Sequence, residues 1–271
     1  MKTAIAIVIN LYLIFTLGMA ICLSQYEVGD MAALTQTQPQ ATEYSEIPDF
    51  ASIQDIAKKK QAFFDYFAAI VSEENDSILK NRDRLIATQK RFNKNQTLNS
   101  KDESFIQALA DKYDVNIKRD TNKTLEALLL RVNAVPVSLA LAQAANESAW
   151  GTSRFAREGN NFFGQWCFKE GCGIVPAHRP QNSHHEVRIF KSASASVKSY
   201  IHNINTHIAY EALRLIRAQA ESESLFPSGV LLAEGLLHYS ARGHAYVEEI
   251  QSMIEFNQLD SMEANSQIGK R

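Results

Sequence analysis

Residues 137–151, VSLALAQAANESAWG, constrain this chain more than any other stretch. From Val137 to Ala145 nearly every side chain is small or aliphatic. Such a segment forms a helix without a polar face for water to hold, so it belongs inside a domain. Pro136 suits the first turn, and Gly151 suits the end. The same stretch carries an acid, Glu147, close to its C-terminal end. A carboxylate there faces the negative pole of the helix dipole and apolar surroundings, and both disfavour the anion. The helix is expected to run to about Trp150, which lies three positions on from Glu147 and roughly on the same helical face. A carboxyl group so placed is expected to keep its proton near neutral pH. On spacing alone, a last-turn glutamate open to water competes evenly with this reading.

The pattern around that helix is mostly helical as well. Ile53, Ile56, Ala57, Phe63, Phe64, Phe67, Ile70 and Val71 mark one amphipathic helix. Ile78, Leu85, Ile86 and Phe92 mark a second, and Phe105 to Tyr113 a third, so residues 50–120 read as an N-terminal helical region. The run Lys58-Lys59-Lys60 is most simply a solvated helix face; the sharper alternative is contact with anionic wall polymer or phospholipid. Leu125, Leu128, Leu129 and Val132 form a further stripe before Pro136. Residues 159–190 hold four glycines, two prolines and two cysteines, which predicts loops or a small β-hairpin with HEVRIF (185–190) as the strand. Helical spacing returns from Val197 to Ile208, then over 211–220, 229–240 and Tyr246 to Ile254. With no βαβ alternation, repeat or phosphate-cradling glycine loop, the fold class is α+β and predominantly helical, with a small β-hairpin lobe and N-terminal helices.

The N-terminus adds a compartment. After Lys2, the run Thr3–Leu23 carries no charge and only Asn10 as a strongly polar residue. Residues 1–23 fit a cleaved signal peptide, with Gly18-Met19-Ala20 as a small-x-small end, or a retained membrane anchor. Ile21 before Cys22 argues against lipid attachment there. Residues 24–49 read as a linker. Either way the body is exported, to the periplasm or cell envelope, and Cys167 and Cys172 in WCFKEGC are best read as a local disulfide. The six histidines from His184 to His244 show no His-Glu-x-x-His spacing, so no metal or cofactor is expected. A serine triad lacks its Gly-x-Ser-x-Gly elbow. The net charge of −2, with 45% hydrophobic and 21% charged residues, fits a soluble globular body with no nucleic-acid partner.

Two longer motifs carry a resemblance. AANESAWGTSRFAREGNNFFG (144–164) and YSARGHAYVEEIQSMI (239–254) resemble the signatures of the glucosaminidase domains of glycoside hydrolase family 73. The likeness runs from about Leu125 to Asn257, within a domain bounded at 121–258 and followed by a tail, 259–271. It implies a lysozyme-like fold and an endo-β-N-acetylglucosaminidase that cuts the β-1,4 bond after N-acetylglucosamine in peptidoglycan glycan strands. It further implies Glu147 as general acid, Trp150 and Phe163 as walls of the cleft, and Tyr239 and Tyr246 as the two tyrosines of the closing motif. Gly164 and Trp166 join the substrate-binding set through the turn they share. The second carboxylate, variable in the family, falls on Glu186 first and Glu170 second. Arg242-Gly243-His244 stands where the family often has Asp-Pro. A lytic transglycosylase on the same scaffold and a non-catalytic peptidoglycan-binding module are the rival readings. The N-terminal segment offers a route to the inner membrane, and the sequence is silent on oligomeric state.

Overall fold

The computed structural model describes residues 46–177, 179 and 184–261. The expected signal or anchor, Cys22, most of the linker and residues 262–271 of the tail lie outside the described residues. Among the described residues no helix is long and apolar enough to cross a membrane.

The first helix, α1 (Ile56–Asn95), is 40 residues long, about 60 Å. Asp55 caps it by accepting from the Lys58 amide. Two helices are expected from the sequence here, and one is found. The polar stretch between Val71 and Ile78, SEENDS, looks like a break but contains neither glycine nor proline. Its one buried member, Asn75, is satisfied: Nδ2 donates to Val135 O (2.7 Å) and Oδ1 accepts from Val135 N (3.1 Å). A buried polar group paired on both sides costs little, so the helix runs on. The apolar face of α1 (Phe63, Phe64, Phe67, Ile70, Val71, Ile78, Leu85) is buried against the helices that follow.

Helices α2 (Ser100–Lys112) and α3 (Thr121–Arg131) are capped by Asn99 and Asp120. Helix α4 (Val137–Ser148) is the alanine-rich segment, and every residue from Val137 to Ala145 is buried. It is the central rod of the domain. Helix α1 packs on α3, α4 and α6 (Ala193–Thr206), while α8 (Gly229–Ala233) and α9 (His244–Phe256) pack on α4. Helix α7 (Glu211–Ser222) is tied to the α3–α4 connection by the buried Arg217, which donates to Leu130 O, Ala134 O and Asn205 Oδ1. Burial first, and then the neighbouring Arg82, push the Arg217 pKa down to about 9, which still leaves it charged at neutral pH.

Between α5 (Arg154–Gly159) and α6 lies the β lobe. It has three antiparallel strands, β1 (Trp166–Cys167), β2 (Gly173–Ile174) and β3 (Glu186–Arg188), in the order β1-β3-β2. The strand expected within 185–190 is β3, and it is central because it pairs on both edges: Trp166 with Val187, and Ile174 with Val187. Cys167 and Cys172 are joined in a disulfide, Cα to Cα 6.2 Å, across the β1–β2 connection. The 229–240 segment, expected as one helix, is α8 followed by a tighter turn of 3₁₀ helix over Glu234–Leu236. There Gly235 sits so close to α7 that a Cβ would lie 2.3 Å from Leu213 Cα, an approach only glycine permits. The whole is a predominantly helical α+β domain of lysozyme-like type, with its small sheet to one side.

Candidate active site

Glu147 occupies the last turn of α4, one residue before its end. The chain then turns sharply: Ala149, Trp150 and Gly151 all have positive φ (49°, 60° and 75°). Ser148 braces the turn, donating from Oγ to Ala144 O (2.6 Å) and accepting from Gly151 N (2.8 Å). Left-handed backbone at two non-glycine residues costs about 1–2 kcal/mol each. The compensation is packing. The Trp150 ring meets Phe63 and Phe64 of α1 edge-on (5.8 and 5.2 Å between centroids), with Lys60 Nζ 4.8 Å from its centre. A Cβ on Gly151 would lie 2.4 Å from the Phe50 ring. Trp150 therefore does not continue the Glu147 face of the helix, because the helix has ended. The contacts of its ring are with α1.

The Glu147 carboxyl has two unlike oxygens. Oε1 accepts from the Tyr246 hydroxyl at 2.9 Å. Oε2 lies toward Gly164, where a Cβ would come within 3.3 Å of it. Gly164 has φ +63°, so a side chain there would both strain the backbone and crowd the carboxyl. Burial raises the pKa of Glu147, and this is the leading effect. Hydrogen bonds from Tyr246 and Asn146 and the charge of Arg242 pull it down, and Glu249 pushes it up; burial wins.

Aromatic rings frame this carboxyl. Tyr239 stacks on Tyr246 (5.3 Å, 6°) and donates to Phe163 O at 2.9 Å, which fixes the turn that carries Gly164. Phe163 is itself buried and stacks on Tyr200 (4.0 Å, 9°). Tyr210 lies 5.8 Å from Tyr239. The structure thus brings together Glu147, Phe163, Gly164, Tyr239 and Tyr246 from three separate parts of the chain. Arg242, from the Arg-Gly-His departure, pairs with Glu249 and lies 5.5 Å from the Tyr246 ring.

The β lobe holds the rest. Trp166 is 57% exposed and stacks on His185 (4.2 Å, 18°); its neighbour Phe168 is 75% exposed. Glu186 is buried, and both its oxygens accept from the disulfide loop: Oε1 from Gly171 N (3.1 Å), Oε2 from Gly173 N (2.7 Å). Those amides hold its pKa below the ordinary glutamate value. Its hydrogen bonds run to this loop and none of them reaches the Glu147 cluster. Glu170 is exposed in the same loop. Cys167, Cys172 and Glu186 bring their ligand atoms within 4.8 Å of one another, but the two sulfurs are joined to each other.

Two residues of the site escape a reading of the sequence. Gln143 is fully buried one turn before Glu147 and bonds both Tyr246 and Tyr200. The one amide within the apolar stretch Val137–Ala145 is the signal that finds it, since a buried polar group demands partners. Tyr200 gives no comparable signal within its own helix.

The family model for glucosaminidases, described as mannosyl-glycoprotein endo-beta-N-acetylglucosaminidase, matches residues 122–259. The chain belongs to the glucosaminidase family. Protein bax of Escherichia coli (strain K12) is 30% identical over 215 residues, which is 79% of this chain and 75% of that protein. No solved structure matches the chain. Glucosaminidases are glycoside hydrolases that act on glycans, so the Glu147 cluster sits in a glycosidase domain. The glucosaminidase span contains every residue of that cluster, whereas α1, which packs on α4, and α2 precede the span.

Proposed function

We propose that the protein is an exported endo-β-N-acetylglucosaminidase that cleaves the β-1,4 bond after N-acetylglucosamine in peptidoglycan, with Glu147 as its general acid. One observation carries this reading: a half-buried carboxyl with a raised pKa, held on one oxygen by Tyr246 and left clear on the other by Gly164. Family membership and the likeness to protein bax support it. The apolar N-terminal run, as signal peptide or anchor, would deliver the domain to the cell envelope.

Glycoside cleavage needs a proton on the leaving oxygen while positive charge grows at the anomeric carbon. Glu147 supplies the proton. The growing charge can be met by a far-side carboxylate or by the substrate's own acetamido oxygen. Both oxygens of Glu186 are engaged by loop amides, which favours the acetamide for that task and leaves Glu186 as the residue that shapes the lobe. Trp166 offers an exposed aromatic face on which a sugar ring can lie. Trp166→Ala is expected to raise KM on soluble wall fragments about five- to tenfold with kcat nearly unchanged, as read from steady-state kinetics.

Tyr246→Phe gives a pH signature. The Tyr246 hydrogen bond stabilises the carboxylate, so its loss raises the Glu147 pKa further. A general acid works in its protonated form, so the alkaline limb of the kcat/KM profile should move to higher pH. The same variant should lose about tenfold in kcat, because the carboxyl is less well held. The founding experiment is a zymogram on purified sacculi with the full chain. Clearing by the wild type is expected. Glycan pulled down without clearing would leave only the binding module.

A further inference from the structure

The acid is oriented by a buried chain of hydrogen bonds that spans three helices. Tyr200 OH of α6 donates to Gln143 Oε1 (2.6 Å), Gln143 Nε2 of α4 donates to Tyr246 OH (2.9 Å), and Tyr246 OH of α9 donates to Glu147 Oε1 (2.9 Å). Gln143, Tyr200 and Tyr246 are each at most 1% exposed, so water does not compete for these bonds.

The direction of the chain follows from donor and acceptor counting. An ionised carboxylate only accepts, so Tyr246 must give its single hydrogen to Glu147. The Tyr246 oxygen can then only accept, so Gln143 must present its NH₂ there. That leaves the Gln143 carbonyl facing Tyr200, whose hydroxyl hydrogen it takes. Turning the amide over would place carbonyl against the Tyr246 oxygen and strand two buried donors or acceptors, an arrangement that costs more than it returns.

We propose that Gln143 is a positioning residue for the acid: by locking Tyr246 as a donor to Oε1, it confines the transferable proton of Glu147 to Oε2. Oε2 is the oxygen beside Gly164, where the absent side chain leaves room for a leaving oxygen. Without the lock, the proton would divide its time between an oxygen that faces the substrate and one that faces Tyr246. The inference rests on Glu147 being the acid proposed above. The other groups that bear on Glu147 are Arg242 and Glu249, Asn146 on its own helix, and the hydroxyls of Tyr210 and Tyr239. None of them takes part in the chain from Tyr200 to Glu147.

The test is Gln143→Met alone and combined with Tyr246→Phe, in the full chain. Two readouts apply: steady-state kinetics on wall fragments, and titration of the Glu147 carboxyl by ¹³C NMR of glutamate-labelled protein. Gln143→Met should lower kcat about tenfold with KM little changed, and should move the Glu147 titration upward in the direction of Tyr246→Phe. Because Gln143 acts through Tyr246, neither effect should appear when Gln143→Met is added to Tyr246→Phe. Retention of the full effect in that background, or a wild-type titration in folded Gln143→Met, would overturn the proposal. Should Gln143→Met not fold, Tyr200→Phe frees the Gln143 carbonyl and must move both readouts the same way; an unmoved titration overturns the lock. Loss of all turnover on wall substrate by the wild type would instead defeat the glycosidase reading, while the titration still decides whether the hydrogen-bonded chain acts on Glu147.

Discussion

Glu147→Gln is expected to bind insoluble wall material as the wild type does and to turn it over about 10²–10⁴-fold more slowly. The substitution keeps shape and one acceptor: the new carbonyl can still take the Tyr246 hydrogen at 2.9 Å. What it lacks is a proton to give from the position beside Gly164. The same variant should be the more stable protein wherever pH exceeds the folded pKa of Glu147. Burial raises the folded pKa of Glu147 above its ordinary value of 4.5. A carboxyl raised in this way contributes stability while neutral, below the unfolded pKa, and loses it as pH rises through the folded pKa. Above that folded pKa the wild type therefore carries a disfavoured buried anion and the variant does not. Thermal melts across a pH series should show the Tm of the variant rising above that of the wild type toward alkaline pH, with the gap closed at pH 3.

The second large effect is structural. Phe67 of α1 is fully buried, 4.6 Å from the Phe63 ring and 4.6 Å from that of Phe162, the residue before Phe163-Gly164. Phe67→Ala should cost about 3–5 kcal/mol, the range for removing a core phenylalanine. In a domain of this size that lowers Tm by roughly 6–20 °C. The protein that remains folded should also lose turnover, because the cavity lies directly beneath the turn that places Gly164 against the acid. Ile56→Ala, at an exposed position on the same helix, is the control and should stay within about 0.5 kcal/mol of wild type. Equal melts for Phe67→Ala and wild type would mean that α1 does not brace the site.

These two variants mark what the amino-acid order makes legible. Helix α4 is readable because nearly every side chain in Val137–Ala145 is small or aliphatic, and the same composition makes burial of the acid near its end one of two even readings, which the structure decides. The partner of that acid is not readable. Tyr246 lies 99 residues along the chain from Glu147, and Tyr200 lies 57 from Gln143, so only the packing of α4, α6 and α9 joins them. Trp150 shows how a local rule fails: helical spacing keeps its ring on the Glu147 face, but two left-handed non-glycine residues, held by tertiary contacts, swing the ring onto α1. The polar stretch within α1 misleads for the converse reason. Its Asn75 looks like surface and is core, because the backbone of Val135 satisfies it. In the lobe, β3 is visible as a strand, whereas the bonds from Gly171 and Gly173 that claim both oxygens of Glu186 depend on a disulfide loop folding back over it.

The most direct measurement is end-group analysis, by mass spectrometry, of fragments released from purified sacculi by wild type and by Glu147→Gln. New reducing N-acetylglucosamine ends in the wild-type digest, and next to none from the variant, is the predicted result. Anhydro ends would assign the acid to a transglycosylase, and equal release by both proteins would remove Glu147 from the chemistry.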